Sequence, residues 1–195
     1  MYKLLLSIEQ IHKNNIIHRD IKPDNFLFDF NSSKCLLIDF GLSDYDFLND
    51  KKINVYKSDD EDIKTIYEIQ KNSALYQRIG TKGFLAPEII FGSKNQGKQV
   101  DIWAAGVIFL CFLAKRMPVF NLNKFSKIQN DTIREIEPLI IVFGIKNILD
   151  IAKKHDCLMY IPENFNKYTL PNNLENIIER KDIEEVNLII ILGWH

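Results

Sequence analysis

The sequence predicts a mainly α-helical domain with one short β-hairpin. The first residues place apolar side chains at helical spacing and end before two asparagines, which indicates an amphipathic helix over residues 1–13. Residues 99–115 are apolar on nearly all sides, as is typical of a helix buried at the centre of a domain. The short apolar runs 26–28 and 35–38 flank a polar turn and predict the hairpin.

The remaining segments are expected to add helices around this centre. Residues 42–79 contain no glycine or proline and are rich in Asp, Asn, Lys and Ser, so we expect a mobile or partly helical insertion there. Helices are predicted at 131–137 and 145–155, with Pro138 and Gly144 as the breaks after and before them. A polar connection and a last helix are expected further along the chain.

Composition narrows the class of protein. The chain has 195 residues, 46% of them hydrophobic, and a formal net charge of −1, so it can bury one core and lacks the positive charge typical of nucleic-acid binders. Its three cysteines include no CxxC pair, which disfavours disulfides and structural zinc. The longest apolar run, Ile102–Ala114, is shorter than the roughly 18 residues of a membrane span. We therefore expect a soluble intracellular protein that binds neither nucleic acid nor membrane directly.

A first motif carries an aspartate and, five positions later, an asparagine. Residues 18–25 read HRDIKPDN, which resembles the catalytic loop of protein kinases. The resemblance implies that Asp20 accepts the proton of the substrate hydroxyl and that Asn25 binds magnesium through its amide oxygen. It also implies that Lys22 neutralises charge on the transferred phosphoryl group of ATP. A lysine at this position of the loop resembles the serine/threonine kinases rather than the tyrosine kinases.

A second motif follows the second predicted strand. Residues 39–41 read Asp-Phe-Gly, which resembles the magnesium-binding motif of the same family. The resemblance makes Asp39 the main magnesium ligand, with ATP as the other cofactor. Phe40 is expected to pack against His18, and Gly41 to permit the backbone turn that leads the chain away from the site.

A third motif resembles the substrate-docking end of a kinase activation segment. Residues 80–88 read GTKGFLAPE. The resemblance implies that Thr81 hydrogen-bonds to Asp20 and Lys22 and so ties substrate position to the catalytic base. We therefore count Thr81 with the catalytic residues.

Further residues are expected to support these loops. Asp101 begins the stretch DIWAAG and, by resemblance, holds the backbone of the catalytic loop. Glu88 pairs in the family with an arginine near the end of the lobe, for which Arg180 is the available candidate. Arg19, beside the catalytic aspartate, is expected to support the loop and to be able to bind a phosphate on the insertion.

Two cations flank the start of the docking motif. Arg78 and Lys82 stand on either side of Gly80-Thr81 and are expected to face the residue that follows the phosphorylated serine. A positive charge there favours Asp, Glu or a phosphorylated residue at that position. The alternative is an ordinary pair of solvated side chains.

Some residues are given no functional role. Cys111 and Trp103 lie within the all-apolar helix and are expected to pack in the core. His12, His155 and His195 have no partner that the sequence reveals.

Finer features are similar to the cell-division-cycle kinases that fire replication origins with a regulatory activating subunit. These features are the catalytic-loop extension 25–27, the enlarged segment 39–80, Gly83-Phe84 before Ala-Pro-Glu, the stretch 101–110 and the isoleucine-rich run 136–144. The resemblance implies protein substrates, a role in replication initiation and the cell cycle, and a nuclear location. A kinase of the cyclin-dependent or casein type is the alternative.

The resemblance also predicts which part of a kinase this is. We expect one partial kinase domain, made of a helix (1–13), catalytic loop, hairpin and Asp-Phe-Gly (14–41), activation-segment insertion (42–79), docking segment (80–98) and the helices of the C-terminal lobe, truncated at the end (99–195). No glycine-rich phosphate loop precedes the opening helix, so the N-terminal lobe is expected to be absent and the chain alone to be inactive. A non-catalytic, kinase-like scaffold is the alternative function.

Overall fold

A computed structural model describes residues 1–46, 78–117, 119–120 and 131–157 of the chain. Two separate two-stranded antiparallel sheets lie among the helices of this part. The strands are β1 (Ile16–Ile17), β2 (Phe26–Asp29), β3 (Lys34–Leu37) and β4 (Asp44–Tyr45). Strand β1 pairs with β4, and β2 pairs with β3. The helices are α1 (Tyr2–Lys13), a 3-10 turn (Pro23–Asn25), α2 (Pro87–Ile90), α3 (Gln99–Leu113), α4 (Asp131–Phe143) and α5 (Ile145–Lys154).

The opening helix lies where its apolar pattern predicts. Leu4 and Ile8 form the buried stripe of α1, and the helix ends at Lys13. Asn15 then adopts a φ of 56°, a left-handed conformation that asparagine tolerates better than most residues. The chain turns there and enters β1, which leads directly into the catalytic-loop motif.

The predicted hairpin is confirmed. Strand β2 pairs with β3 from Phe26 opposite Leu37 to Asp29 opposite Lys34. Asp29 caps the turn between them, because its carboxylate accepts hydrogen bonds from the amide of Asn31 and from the hydroxyl of Ser32. The hairpin thus carries the chain from the catalytic loop to the Asp-Phe-Gly motif.

Helix α3 is the centre of the described core, as its apolar sequence predicts. One side of it packs with α1 and the hairpin, through Leu4, Ile8, Leu37, Ala104, Ala105 and Ile108. The other side packs with α2, α4 and α5 through residues that include Val100, Val107, Leu110 and Cys111. Cys111 is buried and Trp103 packs against Phe143 at a ring-centroid distance of 5.6 Å, so the prediction that both belong to the core is confirmed.

The break expected at Pro138 is wrong. Helix α4 runs through this proline to Phe143, because the residues after it are held in the core: Leu139, Ile140 and Val142 are all buried. Their burial outweighs the one backbone hydrogen bond that proline cannot donate. Gly144 does separate α4 from α5, with a φ of 81°.

Several predicted segments lie outside the described residues. They are most of the insertion 42–79 and everything after residue 157, which includes the predicted last helix, Arg180 and His195. Among the helices of the described part, none has the length and apolar character needed to cross a membrane.

Candidate active site

A buried carboxylate in the first turn of α3 holds the catalytic loop. Asp101 Oδ2 accepts a hydrogen bond from the backbone N–H of His18, and Oδ1 accepts one from that of Arg19, both at 2.8 Å. Arg19 has a φ of 64°, so these bonds fix the backbone in a conformation that an arginine rarely adopts. The expected hold of Asp101 on the loop backbone is present.

His12 adds a third bond to the same carboxylate, which the sequence did not reveal. Its Nε2 lies 2.8 Å from Asp101 Oδ2, although the two residues are 89 positions apart. His155 also has a partner, because its Nδ1 lies 3.0 Å from Ser93 Oγ, and burial followed by the charge of Lys154 lowers its pKa. The sequence revealed neither of these two partners.

His18 joins the catalytic loop to the Asp-Phe-Gly motif. Its ring is fully buried, with Nε2 at 2.9 Å from the carbonyl of Ile38 and Nδ1 at 3.3 Å from the backbone nitrogen of Asp20. Because a carbonyl only accepts and an amide only donates, these bonds define the tautomer with its proton on Nε2. The ring of Phe40 meets that of His18 edge-on at 4.8 Å, as expected.

Three side chains meet at the predicted catalytic base. Thr81 Oγ1 donates to Asp20 Oδ1 at 2.6 Å, and Lys22 Nζ donates to Asp20 Oδ2 at 2.7 Å. Lys22 Nζ also donates to Thr81 Oγ1 at 3.1 Å, which closes a triangle between the catalytic loop and the docking segment. The hydrogen bonds expected of Thr81 are present.

Asn25 approaches the same carboxylate from the loop's other end. Its Nδ2 donates to the carbonyl of Asp20 at 2.9 Å and to Asp20 Oδ2 at 3.1 Å. Both partners are acceptors, so the amide nitrogen must face them, and the oxygen Oδ1 remains the atom that can bind a cation. The backbone carbonyl of Asn25 accepts from Ile38 N–H at 2.9 Å, which brings Asp39, the next residue, alongside.

The neighbours of Asp20 set its charge state. Burial alone would raise the pKa of Asp20, but hydrogen bonds from Lys22 and Thr81, the Lys22 charge and the Asn25 amide together lower it. The pKa of Lys22 is raised, first by its hydrogen bond to Asp20 and then by the charges of Asp20, Asp24 and Asp39. The pair is therefore a carboxylate and an ammonium at neutral pH.

Asp39 is the exposed carboxylate of the site. It has a φ of 64°, and its Oδ1 accepts from the backbone N–H of Gly41 at 3.3 Å. The backbone turn expected at Gly41 is present, since the amide of Ser43 donates to the carbonyl of Phe40 at 3.0 Å, and a Cβ on Gly41 would come within 3.2 Å of Asp39 Oδ1. The absence of a side chain at Gly41 therefore leaves the Asp39 carboxylate accessible.

The residues present fit a magnesium nucleotide. Asn25 offers an amide oxygen and Asp39 a carboxylate, and Mg²⁺ prefers such hard oxygen ligands, often with only one or two from the protein beside phosphate. Within the described ranges, no group of three His, Cys, Asp or Glu side chains converges to hold a metal by itself. The donor set therefore suits a metal that arrives with phosphate.

The side chain of Arg19 contacts the chain that follows the Asp-Phe-Gly motif. Its Nε donates to the carbonyl of Leu42 at 2.6 Å, its Nη2 lies 3.4 Å from that of Ser43, and its Nη1 is 3.1 Å from Asp44 Oδ2. The phosphate expected on the insertion lies outside the described residues. Asp44 supplies a negative charge to this guanidinium instead.

Glu88, the last residue of the docking motif 80–88, is buried. Burial raises the pKa of its carboxyl, and hydrogen bonds from its own backbone and Gln99, together with the charge of Lys154, partly oppose this. Arg180, the partner suggested by resemblance, lies outside the described residues.

Arg78 and Lys82 come together around a carboxylate that the sequence did not single out. Lys82 Nζ lies 3.1 Å from Glu135 Oε1, and Arg78 Nη1 lies 3.8 Å from Glu135 Oε2. Arg78 also donates to the hydroxyl of Thr132. Both partners lie on α4, a helix whose sequence gives no local sign that it contacts the docking segment.

A known protein family matches most of the chain. A family model described as "Protein kinase domain" matches residues 1–180. The chain therefore belongs to the protein kinase family.

Within that family, the chain is similar to several kinases of known name. The chain is similar to "Cell cycle serine/threonine-protein kinase hsk1" of Schizosaccharomyces pombe, at 36% identity over 98% of this chain and 36% of the relative. It is also similar to "Probable cell division control protein 7 homolog 2" of Encephalitozoon cuniculi, at 31% identity over 78% of this chain and 46% of the relative. "Cell cycle protein kinase spo4" of Schizosaccharomyces pombe is 31% identical over 78% of this chain and 39% of the relative. The chain thus spans less than half the length of these relatives.

Proposed function

We propose that this chain is the catalytic lobe of an ATP-dependent serine/threonine protein kinase. The observation that supports it most is the contact of Asp20 with Lys22, Thr81 and Asn25, because a carboxylate, a cation and a docking-segment hydroxyl share one point. A scaffold needs none of these groups in this arrangement. The reaction is transfer of the ATP γ-phosphoryl group to a serine or threonine hydroxyl of a protein: the bond between the γ-phosphorus and the bridging oxygen breaks and ADP leaves.

Asp20 acts on the substrate hydroxyl in this proposal. The lowered pKa keeps its carboxylate ionised at neutral pH, so it can accept the hydroxyl proton as the oxygen bonds to phosphorus. Lys22 lies 2.7 Å from that carboxylate and places a positive charge where negative charge develops. Thr81 fixes the docking segment on Asp20, which orients the substrate chain toward the base.

Asn25 and Asp39 would hold the nucleotide's magnesium ion. The amide oxygen of Asn25 and the exposed carboxylate of Asp39 supply the oxygen ligands, and Lys22 supplies a charge for phosphate. When bound, magnesium–ATP provides the phosphoryl group and neutralises part of its charge.

The relatives' names support a role in the cell cycle. Two of them are described as cell cycle kinases and a third as a cell division control protein homolog. We extend this to DNA replication initiation in the nucleus with a regulatory activating subunit. Co-purification of the native protein with one stoichiometric partner that raises its activity tests the last point.

The proposed reaction is tested on the native protein that contains these residues. Incubation with γ-labelled ATP, magnesium and a protein substrate should yield labelled phosphoserine or phosphothreonine and no phosphotyrosine. The Asp39→Asn variant should lose magnesium-dependent transfer. Label in phosphotyrosine, or equal transfer by Asp39→Asn, contradicts the proposal.

A further inference from the structure

Glu135 is a buried carboxylate that lies beneath the two cations of the docking region. Its side chain is 3% exposed, and its oxygens lie 3.1 Å from Lys82 Nζ and 3.8 Å from Arg78 Nη1. Within the residues that the structure describes, neither oxygen accepts a hydrogen bond of normal geometry. The two ion pairs therefore supply the compensation that a buried carboxylate requires.

The cations themselves remain open to solvent. The side chain of Lys82 is 56% exposed and that of Arg78 is 32% exposed, so both can reach a ligand from outside. Movement of either one toward such a ligand weakens its contact with Glu135 and leaves a buried charge less well paired. An external acid must therefore compete with Glu135 for the same cations.

The cation pair lies next to the residues that are proposed to act on the substrate. Lys82 directly follows Thr81, whose hydroxyl donates to the catalytic carboxylate Asp20 at 2.6 Å. Glu135 also lines a small pocket in the docking region. The other lining residues are Gly83, Leu85, Ile90, Phe120 and Leu139.

We propose that Glu135 is a specificity-determining residue that masks the cation pair Arg78–Lys82 from the substrate. The inference rests on the proposed kinase function. The two positive charges and the one buried negative charge leave these three side chains with a net charge of +1. Glu135 thereby moderates the preference for Asp, Glu or a phosphorylated residue after the phosphorylated serine. The sequence predicts that Arg78 and Lys82 contact an acidic residue of the substrate, whereas in the structure both contact Glu135 of the same chain.

The test compares two peptides that differ only in Asp or Ala after the serine. For the native protein, kcat/KM and the dissociation constant of each peptide are measured, the latter by fluorescence anisotropy. The preference for Asp is the kcat/KM of the Asp peptide divided by that of the Ala peptide, or the dissociation constant of the Ala peptide divided by that of the Asp peptide. Glu135→Gln should raise both ratios by about threefold to fivefold, as expected for one partly exposed ion pair. The rise should disappear in Glu135→Gln/Lys82→Gln/Arg78→Gln, which lacks the cations.

A matched control separates masking from net charge. Glu9→Gln removes an exposed carboxylate that pairs with Lys13 on α1, so it changes the net charge equally but should leave the ratio unchanged. Glu135→Asp keeps the charge but shortens its reach, so it should raise the ratio in the same direction and serves if Glu135→Gln does not fold.

The outcomes distinguish this inference from the proposed function. If no variant transfers phosphate, the kinase proposal fails, while the anisotropy ratio still decides the role of Glu135. A ratio that stays level or falls in folded Glu135→Gln or Glu135→Asp overturns the inference and makes Glu135 an anchor of the docking segment only. An equal rise in Glu9→Gln also overturns it.

Discussion

Neighbouring groups rather than solvent set the charge state of Asp20, which is only 6% exposed. The carboxylate accepts from Thr81 on one oxygen and from Lys22 and Asn25 on the other. These donors stabilise the ionised form against the cost of burial. The same contacts thus tie the stability of the loop to the chemistry proposed for it.

We expect Lys22→Met to lower the free energy of unfolding by an amount that depends on pH. The pKa of Asp20 lies below its ordinary value of 3.8 when folded, so its stabilisation is complete above that value and is lost as pH falls through the folded pKa. Removal of Lys22 should cost about 1–3 kcal/mol at pH 7. Urea unfolding should show this difference shrinking below about pH 3.8.

A double variant provides the control for this measurement. In Asp20→Asn the carboxylate that contacts Lys22 is gone, so adding Lys22→Met should produce a difference that changes less with pH over the acid range, because only the charges of Asp24 and Asp39 still act on Lys22. Lys22 itself cannot cause the change, because its pKa is raised above 10.5. If the effect of Lys22→Met on the free energy of unfolding does not change with pH while Asp20 is present, Asp20 is not the group that causes the pH dependence.

Thr81→Ala tests the link between base and docking segment. The change removes hydrogen bonds to Asp20 and Lys22 without removing a charge. Loss of a charge-assisted hydrogen bond is worth about a tenfold factor, so kcat/KM for the protein substrate should fall by about that much. The KM for ATP should stay within about twofold. Thr81→Ser, which retains the hydroxyl, should keep most of the activity, and a fall confined to ATP would place Thr81 at the nucleotide instead.

Among the contacts between elements, the close approach of the docking segment to the catalytic loop occurs at a glycine. Gly80 has a φ of 122°, and a Cβ there would lie 2.7 Å from the carbonyl oxygen of Arg19 and 2.9 Å from Leu85 Cδ2. Only glycine allows both this conformation and this approach. The contact is what brings Thr81 to the base.

Gly80→Ala should therefore destabilise the domain more than an ordinary glycine substitution. We expect a loss of about 2–4 kcal/mol, from backbone strain and a clash with backbone that cannot move aside. Gly92→Ala is the matched control, because Gly92 also has a positive φ of 72° but has open space around its Cβ position. It should cost about 1 kcal/mol. Equal losses on urea unfolding would mean that the approach to Arg19 does not constrain the segment.

The elements show which features a sequence can reveal. The opening helix, the hairpin and the buried central helix follow from local periodicity, and the catalytic residues follow from short motifs. The continuation of α4 through Pro138 depends on the burial of residues that follow it, which local propensity does not include. The partners of His12 and Glu135 are distant along the chain, so no spacing rule could find them.

At the scale of the whole molecule, Asp101 joins the helical core to the catalytic loop. It lies in the first turn of α3, the helix at the centre of the described core, and its carboxylate fixes the loop backbone at His18 and Arg19. The loop in turn holds the docking segment through Gly80 and Thr81. The core, the base and the docking segment thus form one connected structure, as catalysis by positioning requires.

Asp20 is proposed to act as the base of phosphoryl transfer within the native protein that contains these residues, and a single-turnover transfer experiment tests this role. The native protein and its Asp20→Asn variant are compared at matched ATP occupancy with a serine peptide. We expect the Asp20→Asn rate to be at least about 100-fold lower, which is the smallest factor typical of a general base, with an unchanged dissociation constant for ATP. Equal rates in the two proteins, or no transfer by the native protein with its ATP site filled, would contradict it and favour a kinase-like scaffold.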